Sequence, residues 1–383
     1  MNRITTILIA GLVATPAMAQ ESLQIKPASK GTLKYSIQTK SEIKTARKML
    51  VDGEERSGGR NRGGGNGITK TSQKLVFEQG PVGANWRNYI TAEGQVSRDS
   101  DDGEGQTSKI VGALHGKKVS MQEEGGRLIF KAETGPAADG ADDSGNKAAG
   151  NIPRNVSNGV SANVDLSALG SAQPVAVDSS YDISAGLVAA LKSTLHPVRA
   201  ARASGPQGNR SRQAGQKGSQ KGGQKGSQKG NRRSRQQRAR TPATFNDTAL
   251  RLVSSEKAVA KATGTLVSIV EKDGQKFATV AIKGTIVGEG TPTETGLSRG
   301  RGNRRSGQGQ RSGGSASAGE AKVSIGVTGT LVINQTEQRV ETLDLDCKIE
   351  TSSKTERTSR DRKMETTQST SGQLGIRLSC ASK

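Results

Sequence analysis

The chain has 383 residues, a formal charge of +22 and a hydrophobic content of 31%, with only eight aromatic residues. Its length accommodates two domains, yet so basic and apolar-poor an average would describe a disordered chain if it were spread evenly. Eight aromatics cannot build the two girdles of an outer-membrane barrel, which argues against that class.

The charge is not spread evenly. Three Gly-rich stretches, residues 56–67, 199–240 and 298–319, carry +3, +13 and +5. With Arg3 set aside, the rest of the chain has no net charge. The basic pI therefore belongs to insertions, and the apolar residues are concentrated in the segments between them.

Residues 1–19 read as a secretory signal peptide. Arg3 supplies the positive start, residues 4–13 are a mostly apolar run too short to span a bilayer, and Ala17-Met18-Ala19 is a small-x-small cleavage site. The mature chain is expected to start at Gln20 and to be periplasmic or secreted. No later apolar run is long enough for a transmembrane helix.

Residues 20–134 read as a first β-rich half. Leu33, Tyr35 and Ile37 alternate on one face of a strand, and a second strand includes Ile43. Strand patterns resume at 74–78, 86–96, 110–114, 118–121 and 127–131, with turns at His115-Gly116 and Glu124-Gly125-Gly126. Residues 135–198 read as a linker with short helices, at 164–169 and 184–195. In the second helix Leu187, Val188, Leu191 and Leu195 share a face, Ser184 is the expected N-cap, and His196-Pro197 ends it.

Residues 199–240 form a low-complexity tract with thirteen Lys or Arg residues and no acid or aromatic. Lys217, Lys221, Lys225 and Lys229 repeat every fourth residue. On a helix they would stack and repel, and the glycine after each weakens the helix further. The tract is expected to be an unfolded, solvated cation.

A second β-rich half follows, residues 241–383, carrying the insertion 298–319. Strands at 258–270 and 277–287 flank Asp273-Gly274, the strongest hairpin signal in the chain. A further hairpin joins 323–333 to 340–349. Residues 351–370 are polar, either an exposed ribbon or a long loop, and Leu374, Ile376 and Leu378 alternate in a last strand. Gly-Thr followed by Leu or Ile recurs at Gly31, Gly264, Gly284 and Gly329, through duplication of a strand motif or by chance.

The run GTLVSIVEKDGQKFATVAIKG from Gly264, with VTGTLVI from Val327, resembles secreted β-rich proteins of planctomycete-type bacteria. The resemblance implies an exported β fold. It brings no activity and no functional residues.

The residues carry no complete catalytic or metal-binding motif. His115 and His196 lack a nucleophile or ligand partner at motif spacing, and residues 112–118 fall one residue short of a phosphate loop. The acidic groups Asp99, Asp101, Asp102 and Glu104, and Asp139, Asp142 and Asp143, do not match a calcium loop and read as solvated turns. No cofactor is expected. Cys347 and Cys380, the only cysteines, are expected to form a disulfide in an exported chain.

These readings combine into a mainly β protein of antiparallel meanders in two halves, with one or two short helices and disordered basic insertions. Its leading function is non-catalytic binding of polyanions through Arg210, Arg212, Lys217, Lys221, Lys225, Lys229, Arg232, Arg233, Arg235, Arg238 and Arg240, with Arg299, Arg301, Arg304 and Arg305 of the third insertion. The partners of that reading are an anionic envelope polymer, an anionic lipid surface or extracellular nucleic acid. The insertions hold no aromatic for base stacking, so only charge and guanidinium stacking remain to drive binding. The alternative is a periplasmic carrier with an apolar ligand between sheet and helix.

Overall fold

The structure, a computed structural model, describes residues 20–27, 31–55, 67–81, 83–100, 103–124, 127–133, 152, 164–195, 198, 258–290, 318–359 and 362–382. The expected leader, the tract 199–240 with all of its candidate contacts, and Arg299, Arg301, Arg304 and Arg305 lie outside them, as do His196 and the acidic group at 139–143.

Among the described residues, fifteen strands and one α-helix form the fold. In chain order they are β1 (Gln20–Ser22), β2 (Leu33–Val51), β3 (Glu54–Glu55), β4 (Gly67–Gln79), β5 (Trp86–Ser100), β6 (Gly103–Val111), β7 (Lys117–Glu124) and β8 (Arg127–Ala132). After a 3-10 turn at Ser167–Leu169 come β9 (Pro174–Ala176), β10 (Ser180–Asp182) and α1 (Ser184–Thr194). The second half supplies β11 (Val259–Lys272), β12 (Gln275–Gly290), β13 (Ala318–Asn334), β14 (Arg339–Ser359) and β15 (Arg362–Ser382).

Thirteen of these strands make one antiparallel sheet, ordered β10-β11-β12-β13-β14-β15-β2-β4-β5-β7-β8, with β3 beside β2 and β6 beside β5. The two halves meet at β15 and β2, which pair without a break from Ser382↔Leu33 to Met364↔Val51. The remaining pair, β1 with β9, forms a small sheet of its own.

Strict alternation explains why these sequences form strands. On β2 the side chains of Tyr35, Ile37, Thr39, Ser41 and Ile43 are buried, while Gln38, Lys40, Glu42 and Lys44 are exposed. Ile325, Val327, Leu343, Leu345, Ile349, Leu374 and Ile376 continue the same buried face across β13, β14 and β15, within one hydrophobic cluster. A period of two places every apolar residue on one face of the sheet.

Several expected strands are longer than their apolar patterns. The strand at Leu33 and the one holding Ile43 are a single strand of 19 residues. Residues 351–359 and 362–370 form a paired ribbon, not a loop, because β14 and β15 stay paired as far as Ser359↔Arg362. The apolar alternation stops near Ile349, but backbone hydrogen bonds need no side-chain pattern, so a strand anchored in a core can continue beyond it. The Asp273-Gly274 hairpin forms as expected, with φ of +54° and +72° at its two turn residues. Such a turn matches the twist of the strands it joins.

Helix α1 lies where expected, but Ser184 is not its N-cap. Ser184 is the first helical residue, and the Asp182 carboxylate accepts from its backbone N–H at 2.9 Å and from its hydroxyl at 2.6 Å. The Ser184 hydroxyl oxygen in turn accepts from the Ala262 N–H at 2.9 Å, tying the helix to the outer edge of β11. Leu187, Leu191 and Leu195 are buried in the main core. Residues 164–195, read from sequence as part of a linker, therefore belong to the folded body.

Candidate anion-binding face

The exposed face of the sheet is built from the positions that alternate with the core. At its centre lies an open basin of about 1180 Å³, lined by β2, β4, β5, β6, β12, β13, β14 and β15. The basin follows one line of cross-strand neighbours, Lys283↔Thr328↔Asp346↔Gly375↔Lys40↔Ser72↔Gln95. Its floor is low because Gly326 and Gly375 face it without side chains. A Cβ at Gly326 would meet nothing nearer than 3.9 Å, and one at Gly375 nothing nearer than 3.5 Å.

Five cations and two carboxylates stand around this floor: Lys40, Lys70, Lys283, Lys348 and Arg377 against Glu42 and Asp346. Three of the cations have acidic neighbours: Lys70 with Asp99 at 3.8 Å, Lys348 with Glu350 at 3.5 Å, and Arg377 with Asp344 at 3.2 Å. Lys40 and Lys283 have no ion partner among the described residues. A second cavity of about 660 Å³ continues the basin along the strands, lined by Lys44, Lys322, Glu289 and Glu350 and by serines and threonines.

The second cavity lies toward the end of the sheet where the insertions attach. One end of the sheet carries the tight turns after Lys272 and Asn334. The other end carries Glu55 and Gly67, on either side of residues 56–66 of the first insertion, and Gly290 and Ala318, on either side of residues 291–317. The last residues of both insertions as read from sequence, Gly67 and Ala318 with Gly319, therefore already belong to β4 and β13. Val259, where the chain re-enters the sheet after the central tract, pairs with Val287 near that same end. Before the tract, Val198 sits nearer the middle, its N–H donating to the Gln73 side-chain oxygen at 3.4 Å.

The expected disulfide does not form. Cys347 pairs across strands with Leu374, and Cys380 lies six residues farther along the same strand. That offset is about 20 Å of extended chain, whereas a disulfide needs Cα atoms within about 7 Å. Both cysteines are free and buried. Burial and the neighbouring Asp346 push the Cys347 thiol up to about 12, and burial pushes the Cys380 thiol up to about 11 although Arg339 opposes it. Sequence alone could not separate these residues, because both lie on strand faces whose register it leaves open.

Tyr35, Phe77, Tyr89 and Phe130 are buried in the core. Tyr35 stacks on Phe77 at 5.4 Å, Phe77 meets Tyr89 in a tilted pair at 5.5 Å, and the buried Arg87 guanidinium lies 4.7 Å from the Phe77 ring centre. None of them lines the basin. His115 accepts from the Ala92 N–H through Nδ1 at 3.2 Å and lies 3.7 Å from Glu93. The space over Gly112, at the start of the near-miss phosphate loop, is taken by Ala92 and by Val198 Cγ1 at 3.0 Å. Among the described residues no group of three or more His, Cys, Asp or Glu is placed to hold a metal ion. Among the same residues no helix is long and apolar enough to cross a membrane.

No protein-family model matches the chain, and no curated protein matches it. Among solved structures it is similar to the crystal structure of Pseudomonas aeruginosa OpdQ, with 7% identity and a TM-score of 0.15 over 91% of this chain and 98% of that one. A likeness at that level carries no argument about fold or function.

Proposed function

We propose that this is an exported, non-catalytic protein that binds polyanions through its cationic insertions, the folded sheet acting as their mount. The observation that supports it is the shared end of the sheet: the first and third insertions both leave and re-enter there, and the chain returns there from the central tract. These attachment points lie at one end of the sheet, which favours a single polymer or surface meeting more than one insertion. An anionic envelope polymer, an anionic lipid surface and extracellular nucleic acid all present such charge.

The carrier alternative needs an apolar space between helix and sheet. The buried side chains of Leu187, Leu191 and Leu195 fill that position, which weighs against it.

The test is deletion of residues 199–240, with binding to DNA, heparin and anionic vesicles measured across salt. The deletion is expected to remove most of the affinity and to flatten the salt dependence. On single-stranded nucleic acid the log–log slope should shrink by about 0.7 for each phosphate that the shortened protein no longer neutralises. Equal binding by the deleted protein would overturn the reading.

A further inference from the structure

We infer that the basin on the polar face is a second, ordered anion site, and that its ligand is an extended acidic polysaccharide bearing carboxylate or sulfate groups. The inference rests on the polyanion reading for its ligand charge, but it assigns recognition to the folded sheet and not to the insertions.

Three features of the basin specify this ligand. The first is shape. Gly326 on β13 and Gly375 on β15 lower the floor on either side of β14, flanked by Thr285, Thr328 and Ser72. A chain lying across the strands can approach the sheet there, with hydroxyls beside it to accept and donate hydrogen bonds.

The second is charge. Lys283, Lys348 and Lys40 stand on β12, β14 and β2, two strand spacings apart in turn, with Lys348 two residues along its strand from Asp346, which holds the place in line with Lys283 and Lys40. Successive cations are therefore roughly 12 Å apart at their Cα atoms, about the length of a disaccharide in an extended glycan. Lys40 and Lys283 hold their charge without an ion partner among the described residues, so an incoming anion need not displace one.

The third is the lack of aromatic residues among those described in the lining. Single-stranded nucleic acid is held largely by stacking on aromatic side chains, and this basin offers ammonium groups, a guanidinium, hydroxyls and amides. Those groups suit an acidic sugar chain, whose carboxylates and hydroxyls all lie at its edges.

Lysine-acetylation footprinting of the full mature chain tests the site, because it reads each lysine separately. The probe is a polygalacturonate oligomer, with neutral dextran and oligo-dT as comparisons. The oligomer is expected to slow acetylation of Lys40 and Lys283 by about fivefold or more, and dextran to leave it unchanged. The double variant Gly326→Val/Gly375→Val fills the floor where a side chain has room, and should abolish this protection while leaving tract lysines Lys217 to Lys229 as they were. Lys40→Gln/Lys283→Gln, which alters only exposed side chains, should abolish protection at Lys348.

Unprotected basin lysines, or protection that survives the valine variant, overturn the inference. Equal protection by oligo-dT overturns the assignment to a glycan. Protection of the tract lysines with an unprotected basin would leave the insertion reading standing and this one refuted. Protection of the basin alone would do the reverse.

Discussion

Cys380 faces Tyr35 across the β15–β2 junction, and both side chains are buried there. The partner of this cysteine is therefore a tyrosine from the other half of the chain. The contact lies at the seam that makes one sheet of two halves.

Both thiols should be unreactive in the native protein. Ellman's reagent is expected to detect none at neutral pH and two after denaturation. Detection of none in denaturant without reductant would mean that a disulfide forms after all.

The same burial predicts alkaline instability. Both thiols have folded pKa values, about 12 and about 11, above the ordinary 9.0. The unfolded chain therefore loses these protons first as pH rises. The stabilisation is complete below about pH 8.5 and is lost progressively as pH climbs through the folded values. The total is on the order of a few kcal/mol. Urea melts from pH 7 to pH 11 should show the decline, and it should be shallower in Cys347→Ala/Cys380→Ala.

The seam also predicts how the chain responds to cleavage. Trypsin should cut first within residues 199–240, where lysines and arginines are dense and apolar residues are lacking. The two fragments should nevertheless co-elute on a sizing column, since β15 and β2 pair along 19 positions. Separation of the fragments without denaturant would contradict the continuous sheet.

Two glycines on one strand should respond oppositely to substitution. At Gly329, which faces the core side, a new Cβ would run into the Asp344 carbonyl oxygen and the Leu345 side chain. Gly329→Ala should cost about 1–3 kcal/mol through overpacking. Gly326, three residues earlier on the open face, should accept alanine with almost no change in stability. Thermal melts of the two variants make the comparison.

Arg87 is the largest of the fully buried side chains among the described residues. Its Nε donates to the Gln79 side-chain oxygen at 3.0 Å, and its head covers the Phe77 ring. Arg87→Ala should cost on the order of 3 kcal/mol, from the cavity it opens and the buried Gln79 oxygen it leaves with one donor fewer. Chemical denaturation would show a lower midpoint with an unchanged slope.

Much of this fold is written in local pattern. The alternation of Leu33, Tyr35 and Ile37, the Asp-Gly turn at 273–274 and the leucine spacing of α1 each specify their element through a few neighbouring residues. Backbone preference and a period of two or about four determine them without reference to the rest of the chain. The segregation of charge into three insertions is likewise a property of the sequence alone. What the tertiary structure decided is register and adjacency. The pairing of β15 with β2 joins residues more than 300 positions apart, and no local signal marks it. That pairing placed Cys380 against Tyr35 and six residues beyond the level of Cys347, which removed the disulfide. The basin was hidden for the same reason. Lys40, Lys283, Lys348, Gly326 and Gly375 are ordinary residues in their own strands, and they become neighbours only when β12, β13, β14, β15 and β2 are hydrogen-bonded in this order and this register.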